Sequence, residues 1–328
     1  MLVRPAALDP LLILLLALFV DALLGDMRPL FSIVTHPVAA FGRLVAKLER
    51  RLNRPQRSAA DRRGRGIVLV VFAMALAAAV GWIILLLTRP ARWGWAVEIF
   101  VAAVLLAQRS LYDHVLAVSR GLRDGGLPGG REAVRHIVGR DPESLDEHGV
   151  ARAAIESLFE NFSDGVVAPV FWYVIAGLPG LFAYKALNTL DSMIGHRNER
   201  YADFGFAAAR LDTAANFVPA RLAGAIIALA AIFGPGTQPQ AALRTMLRDA
   251  RKHRSVNAGW PEGAAAGALG LALAGPRRYG GRVVEDPWIG EGRARATTVD
   301  INRALYLFVV ACLVHAALLA ALAVASMR

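Results

Sequence analysis

Residues 67–88 read IVLVVFAMALAAAVGWIILLLT. This run has no charge and no proline, and about twenty apolar residues is the length a helix needs to cross the hydrocarbon core of a bilayer. Lipid offers the backbone no hydrogen-bond partners, so such a segment must satisfy its own N–H and C=O groups as a helix. Similar runs lie to either side. Leu11 to Leu24 follows Asp9-Pro10, Trp93 to Ala107 carries Glu98 as its only charge, and Ala304 to Ala325 is again long enough to span. Two weaker runs occupy the middle: Val166 to Ala186, broken by Pro169, Gly177, Pro179 and Gly180, and Phe217 to Phe233. The chain of 328 residues is 56% hydrophobic, with a mean hydropathy of +0.44. That is too apolar for an ordinary soluble domain, while 19% charged residues leave material for aqueous segments. The expected class is all-α: a polytopic helical integral membrane protein, with residues 1–328 forming one membrane-embedded domain.

The formal net charge of +11 raises the question of nucleic acid, but the charges sit where topology places them. Arg43, Lys47, Arg50, Arg51, Arg54, Arg57, Arg62, Arg63 and Arg65 lie between the first two apolar runs. A second basic set, from Arg244 to Arg303, precedes the last run. This is the positive-inside pattern, and it puts both stretches in the cytoplasm, aided by anionic lipid head groups. Aromatics are few among these arginines and no nucleic-acid motif is present. At the N-terminus, Asp21 and Asp26 stand where a signal peptide would have its small-residue cleavage site, so the first helix reads as uncleaved. The single cysteine, Cys312, falls in the last apolar run, which leaves no basis for disulfides or cysteine-rich zinc sites.

These anchors constrain the middle. With 43–65 and 235–303 both cytoplasmic and a hairpin at Arg89-Pro90 outside, segment 109–164 is cytoplasmic too, and the two weak runs must both span or both fail to span. The Pro/Gly breaks favour a re-entrant central pair, which is tolerated where protein or a cavity surrounds it. The reading is about four full crossings in the cell inner membrane, with the active side cytoplasmic. Segment 109–164 reads as soluble helices broken at Leu127-Pro128-Gly129-Gly130, with a short amphipathic helix at Arg131–Val138.

Ionisable groups beside or within a bilayer are costly, so a dense cluster of them marks a functional site. Glu156, Glu160 and Asp164 recur every four residues, on one helical face. Carboxylates one turn apart near Asn161 can hold Mg²⁺, which takes one or two carboxylates and leaves its other positions to water and substrate phosphate. Asn188 and Asp191, three apart, can complete such a site from a second element. The competing reading is a solvated acidic face. Gly195-His196-Arg197-Asn198-Glu199-Arg200 presents two guanidiniums suited to phosphate, or alternatively a juxtamembrane anchor. Arg210, Asp212, Asn216 and Arg221 form a polar stripe entering the next apolar run. His253, Asn257, Trp260 and Glu262 precede Gly263–Ala274, a small-residue helix suited to close packing. His36-Pro37 follows a turn after Gly25-Asp26; a lone loop histidine is usually structural. Nucleotide loops of the Gly-x-x-x-x-Gly-Lys-Ser/Thr and Gly-x-Gly-x-x-Gly kinds are missing from the sequence, as are His-Glu-x-x-His and Gly-x-Ser-x-Gly.

The residues from Glu156 to Asn161, with DGVVAPVFW at 164–172 and KALNTLDSM at 185–193, resemble the adenosylcobinamide-phosphate synthase family of cobalamin biosynthesis (CobD/CbiB). So do GHRNERYADF at 195–204, Ala209 to Asp212, NFVPARL at 216–222 and HRSVNAGWP at 253–261. Asp21, Gly25-Asp26 and His36-Pro37-Val38 fall in the family's order. The chain departs from the usual pattern at Met27-Arg28, at His196 and at Arg254-Ser255-Val256.

The resemblance implies an ATP- and Mg²⁺-dependent ligase forming a C–N amide bond. The reaction joins aminopropanol, or its O-phosphate, to the free propionate carboxyl of (adenosyl)cobyric acid, giving cobinamide or its phosphate. On that reading Glu156, Glu160, Asp164, Asp191 and Asn188 are catalytic, with Glu160, Asp164 and Asp191 as metal ligands. Arg197, Arg200, Arg210, Asp212, Asn216, Arg221, His253, Asn257, Trp260 and His36 hold substrate and phosphate. Two alternatives share the helices: a membrane sensor of the AmpE type without ligase activity, and a corrinoid transporter. A CDP-alcohol phosphotransferase would need Asp-x-x-Asp-Gly-x-x-Ala-Arg, and the segment at Asp164-Gly165 lacks its first Asp and its Arg.

Overall fold

The computed structural model describes residues 8–27, 31–32, 35–139, 141–196, 198–279 and 282–326, with the side chains of 277–284 left aside. Four helical segments among these are long and apolar enough to cross a membrane: Ala59–Thr88, Gly94–Val134, Glu147–Ile194 and Thr298–Ser326. A fifth candidate is the bent pair Phe206–Ala215 and Phe217–Ala230, which meet at 44°. The all-α membrane class is therefore what the chain adopts.

The chain's contacts divide it into two compact units. The first comprises Met1–Ala107, Ala168–Asn216 and Leu322–Arg328. Its helices are α1 (Pro10–Leu24), α2 (Pro37–Leu52), α3 (Ala59–Thr88), α4 (Gly94–Leu105), α7 (Ala168–Ile194) and α8 (Phe206–Ala215). Asp9 starts α1 by accepting the Leu11 and Leu12 N–H groups, with proline in the first turn where a missing N–H costs nothing. At 15 residues α1 is shorter than a span requires. The sequence reading counted it as a full crossing; by length it is not one. The basic stretch expected as a loop at 43–65 is mostly helix, because α2 is amphipathic: Val45 and Glu49 are buried while Arg43, Lys47 and Arg50 are exposed. Val45, Leu69, Val70, Leu187, Leu190 and Phe204 form the heart of this unit's core. Glu98, the lone charge of α4, accepts the Tyr173 hydroxyl at 2.7 Å, which explains how a carboxylate is tolerated there. The expected break in the central run is present within α7, where Gly177 adopts φ 62° ahead of Pro179.

The second unit comprises Gln108–Val167 and Phe217–Ala321. It contains α5 (Gln108–Val134), α6 (Glu147–Phe162), a π-helical turn at Ser163–Val167, α9 (Phe217–Ala230), α10 (Pro239–Asp249), α11 (Gly259–Leu269) and most of α12 (Thr298–Ser326). The break expected at 127–130 comes at Gly126, and the helix it opens ends at Val134, short of Val138. The small-residue helix ends at Leu269 instead of Ala274, because Gly270 turns left-handed. Two short antiparallel pairs follow, β1 (Leu273–Ala274) with β4 (Trp288–Ile289) and β2 (Arg277–Tyr279) with β3 (Arg282–Val284). Small side chains let α11 press on its neighbours, as expected. A Cβ at Gly267 would overlap the Ala241 carbonyl of α10.

Candidate active site

In the first unit, the last turns of α7 change character. The helix is apolar up to Tyr184 and then carries Lys185, Asn188, Thr189, Asp191 and Ser192. Spacings of three and four align most of these along one side. The Asp191 carboxylate lies directly against Gly195, where any Cβ would overlap Oδ1. The Gly195 N–H donates to the Asp191 carbonyl at 2.7 Å. The chain thus leaves α7 in a turn that only glycine permits, with a carboxylate half-buried beside its backbone.

Beyond that turn, Arg197 lies outside the described residues. Arg200, expected to hold phosphate, has another partner: its Nε and Nη2 donate to the two carboxylate oxygens of Glu49 at 3.0 and 2.8 Å. Glu49 is buried and Arg200 largely exposed. Hydrogen bonding to Glu49 raises the Arg200 guanidinium further above its ordinary range. Asn53 Nδ2 donates to both Glu49 Oε1 and the Arg200 carbonyl, and Arg62 Nη2 donates to the Glu199 and Arg200 carbonyls. A bidentate pair of this kind fixes geometry as well as charge, so Arg200 positions the segment after Asp191. Phosphate binding by the same guanidinium would require it to leave Glu49 buried with a charge and fewer partners.

Asp212 and Asn216 are joined in a buried chain. The Tyr184 hydroxyl donates to Asn216 Oδ1 at 2.8 Å, and Asn216 Nδ2 donates to Asp212 Oδ2 at 3.0 Å. This is how polar groups entering an apolar run are satisfied. Arg210 and Arg63 both lie over the Phe206 ring, an attraction between cation and π-face. His36 is the N-cap of α2: its Nδ1 accepts the Val38 N–H at 3.2 Å, and its ring packs on Phe31. Burial holds the imidazole below its usual range; nearby Lys185 adds to that, while Asp26 opposes it. A neutral ring is what the capping bond requires, so the structural reading of this histidine is the one its contacts support.

In the second unit, Glu156 is buried and its Oε1 accepts the Ala274 N–H at 2.8 Å. Ala274 has a positive φ of 58°, so Glu156 braces a strained strand end. Glu160 is exposed and Asp164, in the π-helical turn, is half-buried. Among the described residues no three His, Cys, Asp or Glu side chains gather to hold a metal. Mg²⁺, which needs only one or two carboxylates, would depend on substrate oxygens for its other positions. Arg221 is sandwiched between Phe217 and Trp260, its guanidinium 3.4 and 4.5 Å from the ring centroids. Trp260, expected at a substrate edge, is thus engaged on one face. His253 Nε2 stands 3.6 Å from buried Glu262, and its Nδ1 accepts the Ser255 N–H at 2.9 Å. Asn257 is buried in the same turn, and Ser255 Oγ accepts the N–H groups of Asn257 and Ala258.

The family model described as CobD/Cbib protein matches residues 14–308, which includes every one of these groups. The chain belongs to the CobD/Cbib family. It is 52% identical over 301 residues to the cobalamin biosynthesis protein CobD of Brucella suis biovar 1, covering 91% of this chain and 92% of that one. It is 51% identical over 316 residues to the CobD of a Sinorhizobium species, covering 95% and 98%. It is 48% identical over 296 residues to that of Rhodobacter capsulatus, covering 90% and 91%. No solved structure matches the chain.

Three residues of this region escaped the sequence reading. Glu49 and Asn53 sit in the basic stretch and looked like topology alone; their partner is 151 and 147 positions away, respectively. Lys185 stood inside a quoted motif, and a cation at the end of an apolar run was the available signal.

Proposed function

We propose that this chain acts in cobalamin biosynthesis as an ATP- and Mg²⁺-dependent amide ligase, joining aminopropanol or its O-phosphate to the propionate carboxyl of (adenosyl)cobyric acid. What carries the reading is membership in the CobD/Cbib family across nearly the whole chain; the polar stretch at 185–205, with Asp191 half-buried against Gly195, supports it. Amide formation from a carboxylate needs an activated acyl group, and ATP supplies the phosphoryl group that makes an oxygen leave. The donor set is made of hard oxygens, which suits Mg²⁺: Asp191 in the first unit and Asp164 and Glu160 in the second are its candidate ligands, and Mg²⁺ held by either group would stabilise phosphate charge.

Asp191, fixed by the Gly195 turn, is placed to orient the incoming amine and accept its proton. Asn188 supplies a neutral donor one turn earlier. Arg200 and Glu49 hold the segment that follows these groups, while Arg210 and Arg221 offer guanidiniums already aligned on aromatic faces.

The test is mass spectrometry of products from purified protein given cobyric acid, ATP, Mg²⁺ and each amine in turn. The expected product is heavier by the aminopropanol unit, or by its phosphate, and formation stops when ATP or Mg²⁺ is withheld. Undiminished turnover without nucleotide would remove the proposed activation. Corrinoid moved but unchanged would favour the transporter, and no effect on corrinoid the sensor.

The proposed site faces the cytoplasm of an inner membrane, from the positive-inside pattern. Cysteine at Gln56 or Arg254, both exposed, in a Cys312→Ala background should resist an impermeant thiol reagent in intact cells and react after permeabilisation. Labelling of both positions in intact cells would invert the topology.

A further inference from the structure

Nine basic residues lie between Arg43 and Arg65, and the fold sorts them into two groups. The later four are engaged by the protein itself. Arg57 and Arg65 pair with Asp61, Arg62 donates to the Glu199 and Arg200 carbonyls, and Arg63 lies over the Phe206 ring. The earlier five, Arg43, Lys47, Arg50, Arg51 and Arg54, are exposed, and none has a side-chain ion pair or hydrogen bond among the described residues. Four of them belong to α2, where spacings of three and four set Arg43, Lys47, Arg50 and Arg51 along one side. The only acid of that helix, Glu49, is buried and bound to Arg200. Like charges four apart weaken a helix, so this stripe has a cost that an anionic partner would offset. Positive-inside topology asks only that cations be present in the stretch; it does not ask for a helix side that bears cations and no acid.

The buried side of α2 fixes its depth. Val45, with Phe41, Leu48 and Leu52, packs in one core with Leu69, Val70 and Ala73 of α3 and Leu187, Leu190 and Ile194 of α7. Leu69 to Ala73 are the first turns of the apolar run of α3, which begins at Ile67 directly after Arg62, Arg63 and Arg65. Leu187 to Ile194 lie past Tyr184, where α7 turns polar. Both helices therefore leave the hydrocarbon beside α2, which sets it at head-group level. Val68, Val71 and Phe72, in the same turns of α3, are exposed and in a bilayer meet acyl chains. Long basic side chains at such a boundary lay their stems on apolar surface and carry their charge to the phosphates.

We propose that the outer side of α2 is a docking surface for anionic phospholipid head groups of the adjoining leaflet, whose phosphates Arg43, Lys47, Arg50 and Arg51 neutralise. The lipid is distinct from the substrates of the proposed ligation, and the inference rests only on the membrane class of the chain.

Native mass spectrometry of the purified full chain, offered equal phosphatidylglycerol and phosphatidylcholine, tests this by binding alone, so its outcome is separate from that of the activity assay. The wild type should retain phosphatidylglycerol over phosphatidylcholine by about tenfold, since each of several cations near an anionic surface contributes up to about fivefold. Lys47→Gln/Arg50→Gln should lower that preference by about fivefold. Arg244→Gln/Arg254→Gln, which removes the same charge from exposed positions of the second unit, should leave it unchanged. Phosphatidylglycerol with a photoreactive head group should label the wild type within 39–54, a readout that needs no variant to fold. Glycerol phosphate, a phosphate ester without acyl chains, should not displace the lipid at equal concentration. Equal retention of the two lipids by the wild type, the same preference in both double variants, labelling confined to other segments, or displacement by glycerol phosphate would each overturn the proposal.

Discussion

Asp191→Asn is expected to lower formation of the amide product by about 10²–10³-fold, the usual size of losing one charge-stabilising group from an active site, with membrane abundance unchanged. The amide has the same shape as the carboxylate, so it fits beside Gly195, where the structure leaves no room for more. Only the charge and the ability to take a proton are removed. A solvated carboxylate would tolerate the change within about 0.5 kcal/mol of stability and leave turnover intact. The measurement is product formation per unit of membrane protein, with the amine titrated to separate binding from rate. An abundant, fully active Asp191→Asn enzyme would move the chemistry away from the 185–205 turn.

Gly66→Ala is expected to be the most damaging small change in the first unit. A Cβ there would overlap the carbonyl oxygen and carbon of Phe204, backbone atoms that no rotamer change can move. The segment it strikes is already tied down by Asn53, Arg62 and Glu49. Relief requires α3 to withdraw from the core it shares with Leu187 and Leu190, at about 3 kcal/mol or more. Gly64→Ala is the control: nothing lies near its Cβ, and alanine there should stabilise the helix by about 0.5–1 kcal/mol. Thermal unfolding in detergent compares them. Equal stability of the two variants would mean that α3 does not press on the 198–205 turn.

The membrane class was legible because it rests on composition and run length, which lipid imposes segment by segment. The run at 67–88 lies within α3, the central run breaks at Gly177, one of the residues that marked it as interrupted, and the small-residue run packs closely. Errors arose where a helix continues through charge. Polar residues do not end a helix that has neighbours to pack against, so the basic stretch after Pro37 is α2. Conversely, α1 is apolar but too short.

The site was legible as a list and not as an arrangement. Residue types and spacing alone mark 156–221 as the place where charge is concentrated in a membrane chain, and they mark Asp191, Asn188 and the arginines as candidates. The tertiary structure decides which of these groups are already occupied. Arg200 is taken by Glu49, Asp212 by Asn216 and Tyr184, Glu156 by the Ala274 N–H, and Arg221 by two aromatic rings. Asp212 with Asn216 and Phe217 with Arg221 are four apart, a spacing that helical periodicity already brings together; the other partners lie far apart in the chain, and local periodicity carries no information about them. What the sequence determines by itself is which segments must avoid water and where charge must be paid for; which charge meets which partner is decided only when the helices pack.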